Sequence, residues 1–139
     1  MKRSIISLTL LLSSVIAYAA GDPVLTVYKD PSCDCCTQWV DYMRRSGFEV
    51  KVIETRNLAS VKQRFSVPDR LATCHTAVLE GSGQVIEGHV PATAVRKLIA
   101  HPEVKGVAVP GMPVNSPGMG QMDGNLVTVD FSGKPFSKD

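Results

Sequence analysis

The sequence has no large surplus of charge, no apolar run long enough to span a bilayer, and only four cysteines in 139 residues. Its 15 basic and 13 acidic side chains include Lys2 and Arg3 at the start, so the remainder carries 13 of each. A chain so balanced lacks the basic field by which proteins hold nucleic acid. The one long apolar stretch, Ile5 to Ile16, falls short of the roughly 20 residues of a membrane span, and no basic stop-transfer cluster follows it. No internal repeat and no linker marks a second domain. With 44% hydrophobic and 20% charged residues, the composition excludes a disordered, collagenous or coiled-coil chain.

The start has a positive form. Met1-Lys2-Arg3, the apolar stretch and Ala17-Tyr18-Ala19 have the three parts of a secretory signal peptide, with cleavage after Ala19. The expected organisation is a signal peptide over 1–19 and one domain over 20–139. The residue directly after Ala19 is Ala20 and not a cysteine able to accept a lipid, so no membrane anchor is expected in the mature form. An exported protein enters a compartment where thiols oxidise unless they are protected, catalytic or metal-bound.

Periodicity predicts the order of elements. Val24 to Tyr28 reads as a strand stopped by Lys29-Asp30-Pro31-Ser32. Cys33 to Ser46 places Trp39, Val40 and Met43 on one face and Asp41, Arg44 and Arg45 on the other, and ends at Gly47 as a helix does. Phe48 to Ile53 alternates as a half-buried strand, and Leu58, Val61 and Phe65 recur at helical spacing. Thr76 to Leu79 and Gln84 to Glu87, joined by Glu80-Gly81-Ser82-Gly83, predict an antiparallel hairpin. A third helix is expected from Pro91 to His101. The 18 residues from Val107 to Gly124 are too rich in Gly, Pro and Asn for regular structure, and Leu126 to Phe131 offers one more strand before a short tail. The fold class expected is α/β: a thioredoxin-like mixed sheet flanked by helices, with an added Met/Gly/Pro loop and a C-terminal strand.

Chemistry concentrates in three places. Cys33-Asp34-Cys35-Cys36 sets three thiols at a helix N-terminus, where the dipole and free N–H groups favour thiolate. Cys33 and Cys36 alone form the Cys-x-x-Cys of a disulfide oxidoreductase; Cys35 can compete in every exchange and favours a metal instead. Two disulfides, in any of three connectivities, are the structural alternative. Cys74-His75 precedes the third strand, where thioredoxins place a cis-proline, and substitutes two residues able to bind metal. His89 lies at a strand-to-helix junction near the same end of the sheet, while His101 has a place only at a helix C-terminus. Met112, Met119 and Met122 lie in the long loop, outside any periodic pattern, whereas Met43 belongs to the core. Cysteine, histidine and methionine together favour copper, as Cu(I), over zinc. The loop, longer than most connections, is expected to close over the cysteines as a flap.

Four blocks in order, VYKDPSCDCCTQWVDYMRRSGFEV, LATCHTAV, VIEGHVP and VAVPGMPVNSPGM, resemble the signature of the CopG-type proteins, from about Val27 to Met119. These are periplasmic, thioredoxin-like proteins associated with bacterial copper resistance. The resemblance implies a Cu(I) site for one or more ions, built from Cys33, Cys35, Cys36, Cys74, His75 and His89 and completed by Met112 and Met119. It further implies a periplasmic role in sequestering copper, handing it to other periplasmic copper-handling proteins, or cycling it between oxidation states, as a redox role has been proposed for the family. Met122 lies beyond the matched blocks. The competing readings are a thiol-disulfide oxidoreductase using Cys33 and Cys36, and a secreted domain held by disulfides.

Overall fold

The computed structural model describes residues 21–139; the expected signal peptide lies outside the described residues. Strand β1 (Val24–Lys29) leads through helix α1 (Asp34–Arg45) to β2 (Glu49–Glu54), and helix α2 (Leu58–Arg64) and a 3-10 turn (Asp69–Leu71) lead to β3 (His75–Leu79). Strand β4 (Val85–Glu87), helix α3 (Ala92–Ile99) and strands β5 (Gly106–Ala108), β6 (Val127–Asp130) and β7 (Pro135–Lys138) complete the order. One seven-stranded sheet results, ordered β2-β1-β3-β4-β5-β6-β7. The β1–β2 and β4–β5 pairs are parallel, each connected through a helix, and the rest are antiparallel. This is the expected mixed, thioredoxin-like sheet with its hairpin of β3 and β4 in place.

The period-2 alternation of β1 explains the layers. Leu25 and Val27 are fully buried against Trp39, Val40 and Met43 of α1 and Val95 and Leu98 of α3. The alternate residue Tyr28 meets Phe65, just past α2, at 5.5 Å between ring centroids. Helices α1 and α3 therefore cover one face of the sheet and α2 the other. On α1 the buried residues Cys36, Trp39, Val40 and Met43 follow the i, i+3, i+4, i+7 spacing of one helical stripe. Trp39 is the anchor of that stripe, its indole N–H donating to the Val90 carbonyl at 2.9 Å. Truncating a side chain so buried costs about 3–5 kcal/mol.

Three boundaries differ from the sequence reading. Val107 and its neighbours form β5 rather than the start of the loop; a three-residue strand buried on both faces shows no alternation to detect. The tail after Gly133 pairs with β6 as β7, an edge strand whose only large apolar residue is Phe136. Helix α3 stops at Ile99, with Pro91 as its N-cap. The buried Gln84 amide explains the stop: its Nε2 faces the carbonyl oxygens of Leu98, His101 and Val104 at 2.9, 3.0 and 2.9 Å and satisfies the helix end. His101 lies beyond that end, exposed and paired with Glu103 at 2.9 Å. Among the described residues, no helix is long and apolar enough to cross a membrane.

Candidate metal centre

The turn from β1 into α1 sets the first three thiols. The Asp30 carboxylate accepts from the Ser32 N–H at 2.9 Å and from the Ser32 hydroxyl, and the Cys33 N–H donates to the Asp30 carbonyl at 3.1 Å. Cys33 thus becomes the N-cap of α1, with Cys35 and Cys36 in its first turn. Cys33 and Cys36 are joined by a disulfide, and Cys35 and Cys74 are free thiols. The Cys33 and Cys35 sulfurs lie 3.5 Å apart, and Cys36 Sγ lies 3.7 Å from the Cys74 carbonyl oxygen. The sequence pattern leaves the pairing open; the fold brings all four sulfurs within 4.8 Å of one another.

Cys74 belongs to a second group as well. Its sulfur, His75 and His89 also converge within 4.8 Å, with both imidazoles buried. Cys74 Sγ lies 3.4 Å from His75 Nδ1 and 3.1 Å from His89 Nε2. The other His89 nitrogen, Nδ1, is 2.8 Å from the Pro117 carbonyl oxygen. A carbonyl only accepts, so Nδ1 carries the proton and Nε2 turns its lone pair toward Cys74, the arrangement by which an outer partner orients a ligating histidine. His75 sits between Trp39, at 4.5 Å, and His89, at 5.1 Å between ring centroids. Its Nε2 is buried with no hydrogen-bond partner, and Nδ1 is the nitrogen that faces the Cys74 sulfur.

Electrostatics favours the ligating forms of the imidazoles. Burial, then the neighbouring His89 and Lys62, holds His75 well below its ordinary range, and burial lowers His89 against the opposing Pro117 hydrogen bond. Both rings are neutral near pH 7. Burial, reinforced by Cys35, pushes the Cys74 thiol up to about 12. A metal ion that binds there must displace the thiol proton.

The long loop does reach the site. Gly118 rests on α1: a Cβ there would come within 2.8 Å of the Trp39 nitrogen and 2.9 Å of the Cys35 carbonyl oxygen. Pro117 beside it delivers the carbonyl that holds His89. Met112 and Met119 are 40% and 36% exposed, which puts both among the exposed residues of the loop. Met122 lines a groove of about 460 Å³ between the loop and the outer face of α1, with Gln38, Asp41 and Arg45.

Sequence reasoning missed the polar support behind Cys74. Glu87 is fully buried, and its carboxylate meets Lys62 Nζ at 2.6 Å. The Thr73 N–H donates to the same carboxylate at 2.6 Å, the Thr73 hydroxyl at 3.2 Å and the Thr76 hydroxyl at 2.7 Å. A single glutamate closing a strand carries no local signal of burial. The strand register pairing Thr76 with Glu87 reveals it.

No curated protein matches this chain. A family described as "Protein of unknown function, DUF411" matches residues 71–119, which hold Cys74, His75, Glu87 and His89. Two solved structures, "Copper resistance protein copG- Form 1" and its Form 2, superpose with TM-scores of 0.74 and 0.73. Both are 35% identical in sequence, over 85% of this chain and 98% of theirs. Similarity of that extent, across a fold that gathers the cysteines and histidines of the matched blocks, makes this chain a member of the CopG family of copper resistance proteins.

Proposed function

We propose that this protein binds Cu(I) in the periplasm as part of copper resistance, at a centre able to hold more than one ion. The observation that carries the reading is the double membership of Cys74 in a four-thiol group and in a Cys-His-His group. A thiolate can bridge two soft metal ions, so one continuous run of sulfur and imidazole donors suits a small copper cluster. Soft sulfur favours Cu(I), and neutral imidazole accepts it. Met112 and Met119 are the proposed outer donors, placed where thioethers could take copper from or pass it to another periplasmic copper-handling protein. The 1–19 signal peptide and the single mature domain belong to the same proposal.

Fully reduced protein is expected to take up more than one equivalent of Cu(I) in competition with a chromophoric chelator. Closing Cys33 and Cys36 as a disulfide should lower that number, since two donors are withdrawn while Cys35, Cys74, His75 and His89 remain. A preference for zinc, or equal uptake in both redox forms, would contradict the proposal.

A second reading, a thiol-disulfide oxidoreductase using Cys33 and Cys36, is favoured by the disulfide between these residues. Cys35, with its sulfur 3.5 Å from that of Cys33, opposes it as a competing nucleophile. Cys35→Ser separates the two. The copper reading requires a loss of Cu(I) affinity, whereas an oxidoreductase would keep or improve its rate of reducing a disulfide substrate.

A further inference from the structure

The segment that carries Cys74 and His75 holds its shape without the feature that fixes it in thioredoxins, since no peptide bond among the described residues is cis. Something else must place the thiol and the imidazole. Alternation along β3 sends successive side chains to opposite faces of the sheet. His75 goes to the α1 face, against Trp39, and Thr76 to the α2 face, where Lys62 Nζ donates to its hydroxyl at 3.1 Å. The Glu87 carboxylate lies on that second face, directly opposite Thr76 in the register. One oxygen accepts from the Thr73 backbone and hydroxyl and the other from the Thr76 hydroxyl. Thr73 and Thr76 bracket Cys74-His75. Behind the carboxylate, Gly88 turns with φ +74° and donates its N–H to the His75 carbonyl at 3.1 Å, which starts the path to His89. A Cβ on Gly88 would lie 2.5 Å from the Thr73 hydroxyl, so the two segments are in contact.

We propose that Glu87 is the positioning residue of the metal centre: held by Lys62, its buried carboxylate clamps Thr73 and Thr76 from the back of the sheet and so fixes Cys74 and His75 on the front, where His89 meets them. The proposal rests on the copper reading for its consequence but not for its geometry. Lys62, on α2, neutralises the carboxylate and supports it, since an unpaired buried charge would destabilise the very strand it clamps. The chemistry needed is only acceptance of hydrogen bonds, so a neutral acceptor of the same length should serve in part, and an apolar side chain should not.

The test replaces the ion pair as a unit. Lys62→Met with Glu87→Met removes both charges and every acceptor; Lys62→Met with Glu87→Gln removes the charges but keeps a carboxamide oxygen. Swapping both partners of a buried pair for apolar groups is often neutral as far as the two charges go. Glu87→Met also leaves the Thr73 and Thr76 donors without their acceptor, so the Met/Met variant should melt below the parent and the Gln variant closer to it. In the Met/Met variant, Cu(I) affinity at the Cys74 centre should fall about 10- to 100-fold, as when an outer support of a metal ligand is lost. Alkylation of Cys74 in metal-free protein, followed by peptide mass mapping, should accelerate. The Gln variant should recover most of both losses.

Parent-like copper affinity and parent-like Cys74 reactivity in a folded Met/Met variant would overturn the proposal and leave Glu87 as a stabilising residue. Should that variant fail to fold, Thr76→Val decides instead. It deletes one clamped hydroxyl at constant shape, and it must raise Cys74 reactivity for the proposal to stand. The alkylation readout involves no metal. A parent that bound no copper but showed these reactivity changes would sink the copper reading and keep the clamp, and the reverse pattern would do the opposite.

Discussion

Cys74→Ser is expected to lower the Cu(I) capacity of reduced protein by at least one equivalent and to weaken what remains more than any other single ligand substitution. Cys74 alone is shared by the two donor groups. Losing Cys33, Cys35 or Cys36 leaves three thiols and both imidazoles in contact; losing Cys74 separates the remaining thiols from the histidines. The affinity loss should therefore exceed the roughly 100-fold that removing an outer support of a ligand costs. The fold should persist, because serine nearly preserves the shape of a side chain that is only partly buried. The geometry also supplies an optical readout. Trp39, the chain's single tryptophan, sits 4.5 Å from the His75 ring. Copper bound beside His75 should quench its fluorescence in parent protein and not in Cys74→Ser. Equal stoichiometry by chelator competition in the two proteins would remove Cys74 from the centre and with it the case for a bridged cluster.

What the sequence disclosed follows the physics of each signal. Helix α1 was legible because amphipathic spacing and a terminal glycine agree, and the hairpin of β3 and β4 because its turn residues are specific. Strands β5 and β7 were not, since three buried residues and a four-residue edge strand offer too few positions for a period. The proposed ligand residues stood out in the sequence as clustered thiols and as histidines beside sheet ends, which is a matter of chemistry rather than pattern. Their division into two groups that share Cys74 depends on how β3 and β4 pair, and no local window contains that pairing. Glu87 and Lys62 illustrate the same limit. In Val-Ile-Glu and in Leu-Ala-Ser-Val-Lys-Gln-Arg each reads as an ordinary solvent-facing charge, and only the strand register brings a carboxylate, an ammonium and two threonines together behind Cys74.

The loop can be tested at one atom. Gly118 adopts φ +86°, and an added Cβ would lie 2.8 Å from the Trp39 nitrogen, 2.9 Å from the Cys35 carbonyl oxygen and 3.1 Å from the Trp39 Cα. All three are backbone atoms of α1, held by helical hydrogen bonds, so the helix cannot give way and the loop must lift. The left-handed backbone costs a non-glycine residue about 1–2 kcal/mol, and forcing a methyl group into a filled contact adds about 1–3 kcal/mol. Gly118→Ala should thus destabilise by about 2–5 kcal/mol, a fall of roughly 10 °C or more in melting temperature. Lifting Gly118 also withdraws Pro117, whose carbonyl holds His89 Nδ1 at 2.8 Å. Cu(I) affinity should then fall by about 10- to 100-fold even where the variant is fully folded. Gly111→Ala is the matched control: φ there is +77°, and nothing lies within 4 Å of its added Cβ. It carries the backbone strain without the collision. If thermal melts and chelator competition gave the same values for both variants, the contact of the loop with α1 would have no part in holding His89; a larger loss in Gly118→Ala on both measures makes the loop a structural wall of the metal centre.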